Sequence, residues 1–250
     1  MAHQTVFKRY ELKYMLTLAQ KEKILEAMSP YMELDKYGRT TIRNIYFDTD
    51  NYRLIRRSIE KPEYKEKLRI RSYSRAERDS TVFVELKKKY ESVVYKRRIA
   101  LCENDAMLWV CRECACPDST QISREIDYFI DFYGGLKPAV FLTYEREAYY
   151  ERSGGDFRVT FDDTILCRTD DISLCSQVYG EPILPGGMVL MELKCSGGIP
   201  LWMARALSRE RIYKTSFSKY GEAYRTLIFP ELYSHNKIKN KENLENGCNI

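Results

Sequence analysis

The sequence predicts an α+β fold in which a β-sheet closes into a barrel with an ionic lumen and helices pack on the outside. Three observations carry this expectation. Eight short segments alternate apolar and polar residues with period two. Six others repeat apolar residues at helical spacing. The polar faces of most strands are built of Arg and Lys with isolated carboxylates, where an ordinary solvent face would mix Ser, Thr, Gln and charges of both signs.

The elements read as follows. Segment 6–15 alternates with Phe7, Arg9, Glu11 and Lys13 on one parity. A helix over 18–28 follows, with Thr17 as its N-cap. A strand over 41–47 and a helix over 51–58 come next. Strand 65–73 sets Lys65, Lys67, Arg69 and Arg71 against Leu68 and Ile70. Strand 81–89 sets Phe83, Glu85, Lys87 and Lys89 against Val82 and Val84, and strand 93–101 carries Val94, Lys96 and Arg98. Helices are expected over 105–114 and 123–132. Strand 139–150 carries Tyr144 and Arg146, and strand 157–162 sets Arg158, Thr160 and Asp162 against Phe157, Val159 and Phe161. Strand 188–195 sets Glu192 and Lys194 against Met191 and Leu193. Helices over 200–209 and 219–227 complete the body, the last with Ser218 as N-cap. Residues 234–250 are polar and rich in Asn and Lys, which predicts a disordered tail. With no linker inside the body, residues 1–233 read as one domain.

Composition narrows the chemistry. The 250 residues include 41 Lys+Arg, 36 Asp+Glu and two histidines, for a net charge of +5. The histidines, His3 and His235, sit near the termini, which argues against a Ser-His-Asp triad or a His-ligated zinc site. No apolar run approaches the roughly 18 residues of a membrane span. The N-terminal MAHQTVFKRYELKY has no h-region, so a signal peptide is not expected. Eight cysteines without a secretion signal predict reduced thiols and a cytoplasmic location. Cys111, Cys114 and Cys116 lie close together, but no second CxxC pair or nearby His completes a metal site, so they read as small helix residues.

Side chains alternate across a strand, so each of these strands has one ionic and one apolar face. Helices supply amphipathic surface for the apolar face. The ionic face then either turns inward, as the lumen of a barrel, or stays solvated, as in a basic sheet that binds nucleic acid. Like charges about 4 Å apart repel by roughly 4 kcal/mol at an effective dielectric near 20, so a cationic lumen calls for an anionic occupant. A triphosphate or polyphosphate, with a divalent cation on the carboxylates, is the natural one. Few aromatics share the ionic parity, which weighs against a nucleic-acid platform.

FKRYELKYML, IYFDT, KLRIRSY, VFVELKKK, VVYKRRIAL, LKPAVFLTYEREAY, FRVTFDDTILCR, VLMELKCSGGIPLWM and SFSKYGEAY occur in this order over residues 6–227. The series resembles the polyphosphate polymerase domain of the vacuolar transporter chaperone (VTC) family, within the triphosphate tunnel metalloenzyme superfamily. The resemblance implies an eight-stranded antiparallel tunnel that holds a metal–polyphosphate. It implies that Lys13 lies near nucleotide phosphates, and that Arg69 and Arg71 clamp the phosphate chain. Lys87, Lys96, Arg146 and Arg158 would make further contacts, with Tyr144 beside Arg146. Glu192 would hold the metal, with Lys194 next to it, and Ser218 and Lys219 would contact phosphate at one end. Arg9, Lys67, Lys89 and Arg98 share the ionic faces and are expected to bind substrate. Glu11 and Glu85 are candidate metal ligands, or simply neutralise neighbouring cations.

In the CYTH-type relatives of the superfamily the first strand reads ExExK, with both Glu on metal. Here it reads Arg9-x-Glu11-x-Lys13, which favours phosphate transfer over hydrolysis. Lys88, Arg97, Arg56 and Arg57 have the wrong parity or lie on a helix, and are expected in solvent. The implied activity moves the γ-phosphate of ATP onto a growing polyphosphate chain, with Mn²⁺ or Mg²⁺. A triphosphatase of the same fold and a module that only binds polyphosphate or inositol polyphosphates are the alternatives. The expected partners are ATP and inorganic polyphosphate, with no nucleic acid. The eukaryotic relatives carry membrane helices that export the product. A chain without them would act as a soluble enzyme or beside a separate membrane protein.

Overall fold

The computed structural model describes residues 10–91 and 93–233. Arg9 and the tail over 234–250 lie outside the described residues. In chain order the elements are β1 (Tyr10–Thr17), α1 (Leu18–Met28), β2 (Met32–Asp48), α2 (Arg53–Ile59), β3 (Tyr64–Ser72), β4 (Thr81–Tyr90), β5 (Val93–Cys102), α3 (Glu103–Val110) and α4 (Gln121–Phe132). They continue with β6 (Lys137–Glu151), β7 (Arg158–Arg168), β8 (Glu181–Pro182), β9 (Met188–Cys195), α5 (Leu201–Arg209), β10 (Lys214–Thr215), α6 (Lys219–Ala223) and a π-helical turn, Tyr224–Ile228. No helix among the described residues is long and apolar enough to cross a membrane.

All pairings are antiparallel, and the strand order is β10-β1-β9-β7-β6-β2-β3-β4-β5, with β8 on β7. Among the described residues the sheet therefore has ten strands, not eight, and it does not close into a barrel. The two additional strands are two residues each, too short to show alternation. β10 pairs with Lys13 and Tyr14 on the edge of β1 that closure would require. The sheet curls instead. Glu11 on β1 meets Lys87 on β4 at 3.2 Å, although five strands separate them along the pairing order. Among the described residues, side chains and not backbone hydrogen bonds bridge the seam.

The apolar parities are covered as expected on the convex side. β3 and β4 pack Leu68, Ile70, Val82, Val84 and Leu86 with Trp109 and Val110 of α3 and Ile126, Phe129 and Ile130 of α4. β1, β7 and β9 pack Leu16, Phe161, Met191 and Leu193 with Ile24 and Met28 of α1 and Met203 and Leu207 of α5. Thr17 caps α1 through a full capping box with Gln20. A third cluster departs from the expectation that every helix packs outside. Ile42, Tyr46, Leu142, Tyr144 and Leu190 pack with Tyr220, Ala223, Tyr224 and Ile228 of α6 and the π turn. These strand residues share the parity of the ionic side chains, so part of the concave face is apolar and α6 fills it. A register shift in β7 opposite Thr143/Glu145, at Thr164 with φ +47°, turns Ile165 and Cys167 into the same cluster.

Asp48 at the end of β2 ties this packing to α2. It accepts from the backbone N–H of Leu54 and Ile55 at 2.8 and 2.9 Å, and from the Tyr220 hydroxyl at 2.9 Å. The N-terminus of α2 and the start of α6 are thus anchored by one fully buried carboxylate.

Candidate functional site: the concave ionic face

The register places the expected side chains in rows. Lys67 of β3, Lys87 of β4 and Lys96 of β5 lie directly opposite one another, and Lys65 lies opposite Lys89. Like charges directly across a ladder destabilise a sheet unless something neutralises them. One step along, Arg69 lies opposite Glu85, and Glu85 opposite Arg98.

Glu85 is 1% exposed and organises the β3–β4–β5 side. Arg69 donates to it through Nε and Nη2 at 2.9 and 2.8 Å, and Lys96 meets it at 2.7 Å. Arg98 and Arg71 stand at 3.5 and 4.0 Å. Burial would raise the Glu85 carboxyl, but the surrounding cations, Arg69 first, hold it well below the usual carboxylate range. Two residues from β2 complete this side. Arg69 Nη1 donates to the Tyr46 hydroxyl at 2.9 Å, and Arg71 Nε donates to Asn44 Oδ1 at 2.9 Å. Arg98 lies over the Phe83 ring at 3.4 Å from its centroid.

Glu192 organises the opposite side. Lys13, Lys194, Lys219 and Arg146 stand 3.3, 3.3, 3.5 and 3.8 Å from its oxygens. Burial opposes its charge, yet Lys13, Lys219, Lys194 and Arg146 together hold its pKa well below normal. Asp162, fully buried, accepts from Arg146 Nε and Nη2 at 2.6 Å each and pairs with Lys219. Glu11 shares Lys13 with Glu192 at 3.3 Å and reaches Lys87 across the seam. Lys13 also donates to the Phe217 carbonyl at 3.0 Å, which draws the segment before α6 onto β1.

Tyr144 joins the two sides. Its hydroxyl accepts from Arg71 at 3.0 Å, and Lys219 and Arg146 lie over its ring at 4.4 and 5.0 Å. Burial alone would push the phenol up, but Arg146, Arg71 and Lys219 bring it down to about 8. Lys67 differs from its neighbours. Its hydrogen-bond partner is Ser218 Oγ at 2.9 Å, and it forms no ion pair among the described residues. Burial, then the charges of Lys13, Lys87, Lys65 and Arg69, bring its pKa down to about 7. Ser218 caps α6 by accepting from the Gly221 N–H.

Most of the expected site residues thus converge. Arg158 shares the parity but is exposed at the start of β7, opposite Lys194. Lys65 and Lys89 lie near the β3/β4 ends away from Glu85. Lys88 and Arg97 are excluded from the concave face as expected, yet they are not merely solvated: they pair with Glu66 and Glu125 at 3.5 and 2.7 Å. Sequence reasoning gave no role to Tyr46 or Asn44, and none in the site to Asp162 beyond the ionic parity. Tyr46 belongs to IYFDT, and its parity with Asn44 was the available signal. All the described cysteines are free, and no three His, Cys, Asp or Glu residues among the described residues gather as a metal site.

The match to known families follows this geometry. Residues 8–228 match the model of the VTC domain. The chain belongs to the VTC domain family. A solved Bacillus halodurans protein, assigned as a candidate adenylate cyclase, is 15% identical with a TM-score of 0.53, over 88% of this chain and 99% of that one. At that identity the likeness concerns the fold. A similarly assigned Vibrio parahaemolyticus protein (13% identity, 88% and 98% covered) has a TM-score of 0.46. The Pyrococcus horikoshii protein PH1819 (15% identity, 87% and 98% covered) has a TM-score of 0.44. No curated protein matches the sequence. This VTC-domain chain sets its ionic strand faces on the concave side of an open, curled sheet.

Proposed function

We propose that the concave face binds a linear polyphosphate and transfers the γ-phosphate of ATP to its end. The observation that carries this reading is the lysine row Lys67–Lys87–Lys96, backed by Lys65 and Lys89, next to Arg69 and Arg71. These rows concentrate positive charge along a line, which matches an anion whose charges repeat along a line. VTC membership favours phosphate over other polyanions.

The reaction asks the protein for positioning and charge stabilisation more than covalent chemistry. A terminal oxygen of the chain attacks the γ-phosphorus of ATP. The new P–O bond forms as the bond to the β-phosphate oxygen breaks, and ADP leaves. Arg69, Arg71 and Arg146 offer planar donors to equatorial phosphate oxygens. Lys13, Lys87, Lys194 and Lys219 balance the charge along the chain, and Arg158 would meet phosphate at the exposed start of β7. Tyr144, held between Arg71 and Lys219, fixes the separation of the two cationic sides. No proton has to be removed from the acceptor oxygen, which suits a face with no histidine among the described residues.

A divalent ion fits this donor set only as one shared with phosphates. Glu192 supplies hard carboxylate oxygens, and Thr160, opposite it in register, has a buried hydroxyl with no hydrogen-bond partner. Mg²⁺ and Mn²⁺ commonly take one or two carboxylates and fill the rest with phosphate oxygens and water. Glu192 would hold the ion with Glu11 as second donor, whereas Glu85 gives Oε2 to Arg69 and has Lys96 at 2.7 Å from Oε1, an ion pair on an oxygen that has no hydrogen bond. When bound, the ion would neutralise charge on the transferred phosphoryl group.

Purified protein incubated with ATP and Mn²⁺ should yield chains longer than triphosphate by gel electrophoresis. ADP and orthophosphate alone would favour the triphosphatase reading, and tripolyphosphate binding without turnover would favour a binding module. Glu192→Gln should lower turnover by roughly 10²-fold or more while tripolyphosphate affinity changes less than tenfold, measured side by side by kinetics and calorimetry. Unchanged turnover would contradict the role given to Glu192.

A further inference from the structure

The two arginines of the proposed phosphate clamp are held by different chemistry. Arg69 gives Nε and Nη2 to one carboxylate oxygen, Glu85 Oε2, at 2.9 and 2.8 Å. Arg71, buried on β3, gives its hydrogen bonds to neutral acceptors. Its Nε donates to Asn44 Oδ1 at 2.9 Å, and its Nη2 donates to the Tyr144 hydroxyl at 3.0 Å. Its Nη1 makes no hydrogen bond among the described residues. Glu85 reaches Arg71 only at 4.0 Å, through the same Oε2 that Arg69 already holds.

Asn44 is fully buried and lies directly across from Arg71 of β3 on one side and Leu142 of β6 on the other. Its Nδ2 donates to the Leu142 carbonyl at 3.1 Å. That bond decides which way the amide faces. Turned over, its NH₂ would meet the Arg71 N–H and its oxygen would meet a carbonyl. Oδ1 is therefore fixed on the guanidinium. Ile42, Tyr46 and Leu142 around it belong to the apolar cluster under α6, so packing alone would ask for an aliphatic side chain at 44. A buried amide costs stability unless it is hydrogen-bonded, and here both ends are used. An aliphatic residue would leave Arg71 Nε without its acceptor. An aspartate would keep an acceptor but neutralise the guanidinium. The amide orients Arg71 and leaves it fully charged.

We propose that Asn44 is a positioning residue for the phosphate clamp: it aims the Arg71 guanidinium through a neutral acceptor and leaves its charge to a phosphate oxygen. Buried behind Arg71, it acts only through that side chain. The inference rests on the phosphate-binding reading of the concave face. It adds a division of labour within the clamp, with Arg69 compensated by Glu85 and Arg71 left uncompensated for the ligand.

The test is calorimetric titration of the full-length protein with tripolyphosphate at about pH 6.5, where the Tyr144 phenol, brought down to about 8, stays protonated. Asn44→Asp should weaken binding by roughly tenfold or more, because it pairs the Arg71 charge internally. Asn44→Ala, which removes the acceptor without adding charge, should weaken it by about threefold. In an Arg71→Ala background the same two changes should alter affinity by less than about twofold, since no guanidinium remains to aim or neutralise. A residue that serves only folding would act equally in both backgrounds. Should Asn44→Asp fail to fold in thermal melts, Asn44→Ala carries the comparison between the two backgrounds. Losses of equal size with and without Arg71, or wild-type affinity in the Asn44 variants while Arg71→Ala binds weakly, overturn this inference and leave the phosphate reading standing. Wild-type affinity in Arg71→Ala overturns both.

Discussion

Lys67 is the side chain where the physics of the site is most exposed. It faces Lys65 and Arg69 on its own strand, Lys87 on β4, Lys13 on β1 and the Ser218 hydroxyl before α6, with no carboxylate in ion-pair contact. Burial and these cations bring its pKa down to about 7. The unfolded chain, with an ordinary lysine pKa, binds more protons between about 7 and 10.4, so this group makes stability rise with pH across that window. A bound polyanion reverses the effect by favouring the charged form. Tripolyphosphate binding should therefore take up protons near pH 8 and take up few at pH 5.5. Calorimetry in two buffers of different ionisation enthalpy measures the uptake; equal apparent enthalpies at pH 8 would contradict it. Parity alone put Lys67 on the ionic face. Its lack of a counter-charge depends on which strand faces it across the curl, and that is not readable from a single strand.

Among the elements, the eight long strands and six helices were legible because each has one face that must be covered. Their ends shifted where another signal intervened. β2 begins at Met32, not at 41, because an irregularity between Leu34 and Arg39, at Gly38 with φ +62°, breaks the alternation. The π turn Tyr224–Ile228 replaces the last part of the expected helix. The apolar part of the concave face was hidden for a different reason. Ile42, Tyr46, Leu142 and Leu190 find their cover in α6, which is distant in sequence, and strand periodicity cannot report that. Ser218 joins this plug to the ionic rows, since its hydroxyl both caps α6 and accepts from Lys67. Ser218→Ala should cost about 1 kcal/mol in urea unfolding, and Ser218→Thr should recover most of it. Equal stability of Ala and wild type would show that the cap contributes nothing.

Over the whole molecule, the net charge of +5 conceals a segregation. The concave face carries rows of cations around Glu85, Glu192, Asp162 and Glu11, while the remaining surface pairs its charges locally, as Lys23 with Glu26 and Arg225 with Glu222. That segregation was legible from strand parity. Openness of the sheet was not, because it turns on β10, a two-residue strand that takes the free edge of β1. An open, side-chain-bridged seam costs less to part than a hydrogen-bonded one, so an anion that bridges β1 and β4 should stabilise the fold. Tripolyphosphate at about 100 times its Kd should add roughly 2.7 kcal/mol, or about 5–10 °C in Tm for a domain of this size. Sodium chloride at equal ionic strength should not reproduce the shift. A crystal structure of the protein with tripolyphosphate tests phosphate binding on the concave face most directly. Phosphate oxygens are expected within hydrogen-bonding distance of Arg69, Arg71, Lys67 and Arg146 on the concave face. Phosphates bound elsewhere, with Arg69 still on Glu85 and Tyr46 and Lys67 still on Ser218, would contradict it.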